Sequence, residues 1–216
     1  MFCRAVALLG LLFLAGGVPP AVAQGPSASS YADAWVIGPI IRGRNYSQGA
    51  ALRPTPLRGG GFYIDLPRAP GSVHYVTFPH GSLAGKTRMV MRYRLQAAPG
   101  VRVAPPSAPD SPGIITPYFQ RSGDNWSGRR QYEMYRWYAT FATQQIQPGE
   151  HQIIAPLSAN WTAVEGSSAR ANAQAFRDAV EEADQVGFVL GGGDGYGHGV
   201  FATGPARLVI TDFRVE

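Results

Sequence analysis

The sequence predicts an all-β fold: a jelly-roll β-sandwich with one short helix packed at one end. Three observations predict it. Short runs rich in Val, Ile, Tyr, Phe and Trp recur along the chain, each bounded by Gly or Pro. The 27 glycines and 18 prolines suit turns between strands and show no collagen-like period or internal repeat. One stretch, residues 169–183, has apolar positions at helical spacing.

The chain opens with an export signal. Arg4 precedes an apolar run from Ala5 to Val18, Pro19 and Pro20 break it, and Ala21-Val22-Ala23 supplies the small-x-small cleavage pattern. The run is shorter than the ~20 residues that span a bilayer. Residues 1–23 therefore read as a signal peptide cleaved before Gln24, and no later stretch is apolar enough to span. The expected location is exported, periplasmic or extracellular. Residues 24–34 are small and polar and read as a flexible lead-in. Residues 35–216 suit a single sandwich domain with one core.

The predicted strands are Trp35–Ile41, Phe62–Leu66, Ser72–Phe78, Arg88–Gln96, Ile114–Gln120, Tyr132–Phe141, His151–Ala155, Gln185–Leu190, Gly199–Ala202 and Arg207–Val215. Gly100–Pro112 holds Pro105, Pro106, Pro109 and Pro112, which excludes a central strand and predicts an exposed loop. In the helix, Ser167 or Ser168 is the expected cap. Phe176, Ala179, Val180 and Ala183 make the apolar stripe, and Arg177 and Glu181 an i,i+4 pair.

Composition narrows the chemistry. Cys3, the only cysteine, lies inside the leader, so the mature chain has no disulfide and no thiol chemistry. Loss of Arg4 takes the formal charge from +5 to +4. Lys86 is the only lysine; the arginines present forks suited to carboxylates, sulfates and phosphates. They are spread along the chain with no basic helix, so nucleic acid is not an expected partner. There is no HExxH, no Cys/His cluster at zinc spacing, and Ser82 sits in no Gly-x-Ser-x-Gly elbow. Gly191–Gly199 reads GGGDGYGHG and lacks phosphate-loop spacing, so it predicts a tight loop with Tyr196 and His198 in reach of a ligand.

Alternation points to a site. In Arg88–Gln96, Met89, Met91, Tyr93 and Leu95 oppose Arg92 and Arg94. In the next two strands Ile115, Pro117 and Phe119 oppose Tyr118 and Gln120, and Trp137 and Ala139 oppose Arg136 and Tyr138. If these strands are neighbours, Arg92, Arg94, Tyr118, Gln120, Arg136 and Tyr138 share one polar face. Tyrosine rings stack on sugar rings, and Arg and Gln bond hydroxyls or uronate carboxylates. The turn Gln120–Gly128 adds Trp126, as a stacking platform or as a residue folded back on the core. Asp124 and Asn125 are expected to make turn hydrogen bonds.

From QRSGDNWSG and YEMYRWYATF, through LSANWTAVEG and the helix, to QVGFVLGGGDGYGHGVFATGPARLVITDFRVE, the second half resembles galactose-binding-like jelly rolls, as in carbohydrate-binding modules and related exported bacterial domains. The resemblance covers Ile114–Glu216. It implies glycan binding on a concave sheet face or at loop ends, and a structural calcium ion, for which Asp33 and Asp212 are candidates because terminal strands often pair in such folds. The expected function is non-catalytic binding of a carbohydrate or cell-envelope glycan, with an anionic glycan favoured by the arginines. Arg92, Arg94, Tyr118, Gln120, Trp126, Arg136, Tyr138 and His198 are the expected contacts. Two alternatives stay open: a jelly-roll polysaccharide lyase using Tyr138, Arg136 and His198, and a structural envelope or protein-interaction domain.

Overall fold

The computed structural model describes residues 28–192 and 197–216. The expected signal peptide with Cys3, the expected cleavage point before Gln24, and Tyr196 lie outside the described residues. In chain order the first strands are β1 (Val36–Gly38), β2 (Ile40–Ile41), β3 (Arg44–Asn45), β4 (Thr55–Pro56), β5 (Phe62–Asp65), β6 (Tyr75–Pro79), β7 (Arg88–Ala97) and β8 (Val103–Ala104). There follow β9 (Ile114–Arg121), β10 (Arg136–Tyr138), β11 (Gln144–Gln145), β12 (Gly149–Pro156), β13 (Thr162–Ala163), β14 (Ala183–Gly191), β15 (Phe201–Ala202) and β16 (Ala206–Val215). Two helices, α1 (Ala28–Asp33) and α2 (Ala173–Glu181), complete the set.

The fold is an all-β sandwich. Among the described residues a large seven-stranded sheet runs β1-β6-β14-β9-β10-β13, with β11 also paired to β9. A five-stranded sheet runs β12-β7-β16-β5-β4. The main strands β5, β6, β7, β9, β12, β14 and β16 alternate between the two sheets, the winding of a jelly roll. All their pairings are antiparallel.

Each main strand turns one face to the shared core. The large sheet contributes Val76, Ile115, Phe119, Trp137, Val186 and Phe188; the small sheet contributes Phe62, Ile64, Met89, Met91, Ile153 and Leu208. Trp35 is fully buried at one end, with its ring 4.9 Å from Phe62, 5.1 Å from Phe213 and 5.3 Å from Phe78. At the other end Phe176 of α2 packs edge-on against Trp137 and Phe119.

Four local expectations change. Residues 28–33 of the expected lead-in form α1; Ala32 is fully buried and the Tyr31 hydroxyl donates to the Phe213 carbonyl at 3.1 Å. The strand expected over Tyr132–Phe141 shrinks to Arg136–Tyr138, because 3₁₀ turns occupy Arg130–Met134 and Thr140–Ala142. Helix α2 starts at Ala173, since Ser168 instead accepts the Ala171 N–H in a preceding turn. On that helix Arg177 bonds Gln174 at 2.6 Å. Finally, Val103–Ala104 of the proline-rich loop are buried and pair with β15.

Replacing Trp35 with Ala empties the centre of an aromatic cluster. Urea unfolding should show a loss of about 3–5 kcal/mol; a loss under 1 kcal/mol would mean that Trp35 does not anchor this end of the core.

Candidate functional site

The register of the large sheet lays its outward side chains in rows. One row is Pro79, Gln185, Gln120 and Arg136, on β6, β14, β9 and β10. The next is Thr77, Gly187, Tyr118 and Tyr138, and a third holds Tyr75, Val189 and Thr116. These positions alternate with the core-facing ones, as the two-residue period of a strand requires.

Gly187 admits no side chain: a Cβ there would sit 2.1 Å from the Val76 carbonyl oxygen. Its bare backbone leaves a path for the Tyr118 ring to cross β14, and the phenol oxygen lies 2.5 Å from Thr77 Oγ1. The Tyr75 and Tyr138 hydroxyls are 2.6 Å apart. Tyr118 stacks on Tyr138 at 6.0 Å and meets Tyr75 edge-on at 5.1 Å. Burial pushes the Tyr118 and Tyr138 phenols well above the usual tyrosine range, so both stay neutral and protonated.

Arg136 and Asp124 form a buried ion pair beside these tyrosines. Arg136 Nε lies 2.9 Å from Asp124 Oδ2, with side-chain exposures of 6% and 0%. Neither atom makes a well-aligned hydrogen bond, so the attraction is chiefly electrostatic. Burial raises the Asp124 pKa; Arg136 and the N–H groups of Trp126 and Asn125 pull it partly back. Burial also works against the Arg136 charge, but Tyr138, Tyr75, Asp124 and Tyr118 together lift its pKa above the ordinary value. The guanidinium therefore stays charged, and its charge is met inside the protein.

Trp126 is carried on the loop that Asp124 fastens. Asp124 Oδ1 accepts the Trp126 N–H at 3.0 Å, and Asn125 Oδ1 accepts the Ser127 N–H at 2.9 Å. Two successive side-chain turns hold Trp126 at φ 66°, in the left-handed region. The indole then lies over Arg136 at 4.9 Å and edge-on to Tyr75 at 5.1 Å. Trp126 thus packs half-buried on the outer face of the sheet, away from the main core.

Above this floor is a cavity of about 640 Å³. It is lined by Tyr75, Tyr138, Arg136 and His74 from the sheet, by Pro39, Ile41 and Tyr46 from the β2–β3 hairpin and its flanks, and by Trp126, Ser127 and Val164–Gly166. Gly197 and His198 also line it. His74 is locked in place: Nε2 lies 2.9 Å from Ser72 Oγ and Nδ1 3.2 Å from the Gly197 carbonyl. Burial lowers its pKa and favours the neutral ring. The volume suits a small ligand, and the lining mixes rings with a few convergent polar groups.

Of the residues expected from sequence, Tyr118, Gln120, Arg136 and Tyr138 share one face, and Trp126 and His198 join it from loops. Arg92 and Arg94 do not. Strand β7 belongs to the other sheet, paired with β12 and β16, because successive main strands change layer. Arg92 Nε bonds Gln152 Oε1 at 2.9 Å and Arg94 lies 3.7 Å from Glu150, both on the exposed outer face of the small sheet. The expected six-residue polar face is therefore divided between two surfaces.

The calcium expectation finds no ligand set. No group of three or more His, Cys, Asp or Glu side chains is placed to hold a metal ion among the described residues. Asp212 pairs with Arg214, and the terminal strands β1 and β16 lie in different sheets. Sequence reasoning also missed His74, Tyr75, Thr77 and Gln185. Tyr75 and Thr77 alternate with Val76 and Phe78, so their shared face was legible, but which strand lay beside theirs was not.

No protein-family model matches this chain, and no curated protein matches it.

Asp124→Leu and Arg136→Leu should each cost about 3–5 kcal/mol, because each leaves a buried charge unpaired. The double variant should cost less than the sum by about 1–3 kcal/mol. Additive losses in a urea double-mutant cycle would show that the two groups are not coupled.

Proposed function

We propose that this protein is an exported, non-catalytic glycan-binding β-sandwich, and that its ligand sits in the cavity above Tyr75 and Tyr138. The observation that carries this reading is the pairing of a hydroxyl-lined floor with the half-buried indole of Trp126. A sugar ring offers an apolar face to an aromatic wall and hydroxyls to phenols and imidazole.

The chemistry favours a neutral glycan over the anionic one. The anionic expectation drew on Arg92, Arg94 and Arg136 together. Two of these lie on the other sheet, and the third is already matched by Asp124 at 2.9 Å. Export rests on the leader of residues 1–23.

A lyase reading draws on the same cavity, since Tyr138, Arg136 and His198 all line it. Such a mechanism needs a tyrosine ready to take a proton and an arginine ready to meet a carboxylate. Burial pushes the Tyr138 phenol the wrong way, and Arg136 is engaged. An envelope or protein-interaction role would draw on Ile40 and Tyr46, exposed by 44% and 42% on the hairpin beside the cavity.

A glycan array carrying neutral and uronic-acid polymers separates these readings. Binding to a neutral glycan, weakened about tenfold or more by Trp126→Ala, is expected. Growth of unsaturated products by ultraviolet absorbance would establish the lyase instead. Silence in both assays would leave a protein partner as the better reading. Mass spectrometry of protein purified from the native host should place the mature N-terminus at Gln24; an intact Met1 would overturn export by this leader.

A further inference from the structure

Resting on the glycan reading, we infer that the ligand is an oligosaccharide of at least two neutral sugar units, passing Trp126 into a second chamber where Gln185 makes the polar contact. A smaller hollow of about 170 Å³ adjoins the main cavity and shares Trp126 and Pro39 with it. Its base is Thr77 and Gln185, with Val36 and Pro79 beside them. Tyr75 in the first chamber and Thr77 in the second are alternate residues of β6, about 7 Å apart. That is a step one glycosidic linkage covers.

Of the two polar side chains at the base of the second chamber, one is committed and one is not. Thr77 is engaged by Tyr118. The Gln185 side chain is half-buried and makes no hydrogen bond to another described residue. A half-buried amide with no protein partner is open to a group bound in the hollow it lines. No charged side chain lines this hollow. A neutral sugar can donate a hydroxyl to the Gln185 carbonyl and accept from its NH₂, with its apolar face against Trp126 and the prolines.

Titration calorimetry with length series tests this: glucose, cellobiose and cellotriose; xylose, xylobiose and xylotriose; mannose, mannobiose and mannotriose. In the series that binds, the disaccharide should bind about tenfold tighter than the monosaccharide. Gln185→Ala should remove most of that gain and change monosaccharide affinity by less than about twofold. Gln185→Glu, which keeps the shape, should also lower disaccharide affinity, and matched thermal melts report that both variants fold. Equal affinity for one and two units, or an equal loss for both in Gln185→Ala, overturns the second chamber while the glycan reading stands. No binding in any series, with no shift of the Trp126 indole resonance, overturns both.

Discussion

The register of β14 between β6 and β9 is the constraint on which the outer face of the large sheet rests. It sets Gly187 between Thr77 and Tyr118, at a point where no Cβ fits. A slip by one residue would turn Phe188 outward and bring polar Gln185 into the core. With the register held, Tyr118 lies across a bare strand and the tyrosines on three strands meet. The hydrophobic core on one side of β14 and the hydroxyl floor on the other are two consequences of one alignment.

Over that floor the protein buries an ion pair, which is not an economical way to gain stability. At Asp124 desolvation outweighs the pull of Arg136 and raises the carboxyl pKa, while the Arg136 charge is favoured overall. The pair acts instead as a fastening. One carboxylate accepts the Trp126 N–H with one oxygen and meets Arg136 with the other, while Arg136 lies beneath the Trp126 ring. Loop, strand and indole are tied at one point. Because burial raises the pKa of Asp124 and, on β14, of Asp184, proton uptake by these groups favours the folded chain in acid, and that contribution fades as pH rises through their folded values.

Much of this was legible in the sequence. Alternation separated Tyr118 and Gln120 from Phe119, and Arg136 and Tyr138 from Trp137, because a half-buried strand must sort its side chains by face. Alternation cannot say which strands are neighbours. Arg88–Gln96 has the same pattern, yet β7 lies in the opposite layer, and nothing local in Arg92 or Arg94 records that. Asp124 was legible as a turn former. Its second role needs Arg136, twelve positions on, to be brought back beside it by β10 pairing with β9.

The division of the arginines also bears on the proposed ligand. On the small sheet Arg92, Arg94 and Arg207 are answered by Gln152, Glu150 and Asp65, in the manner of a solvated sheet face. In the cavity Arg136 is matched by a carboxylate and roofed by an indole. The other lining groups include the rings of Tyr46, Tyr75, Trp126, Tyr138 and His74, the Ser127 hydroxyl, the imidazole of His198 and the Glu165 carboxylate. Under the proposed function such a surface would discriminate by shape and by the placing of hydroxyl groups, since the one guanidinium among the described lining residues is already matched by Asp124.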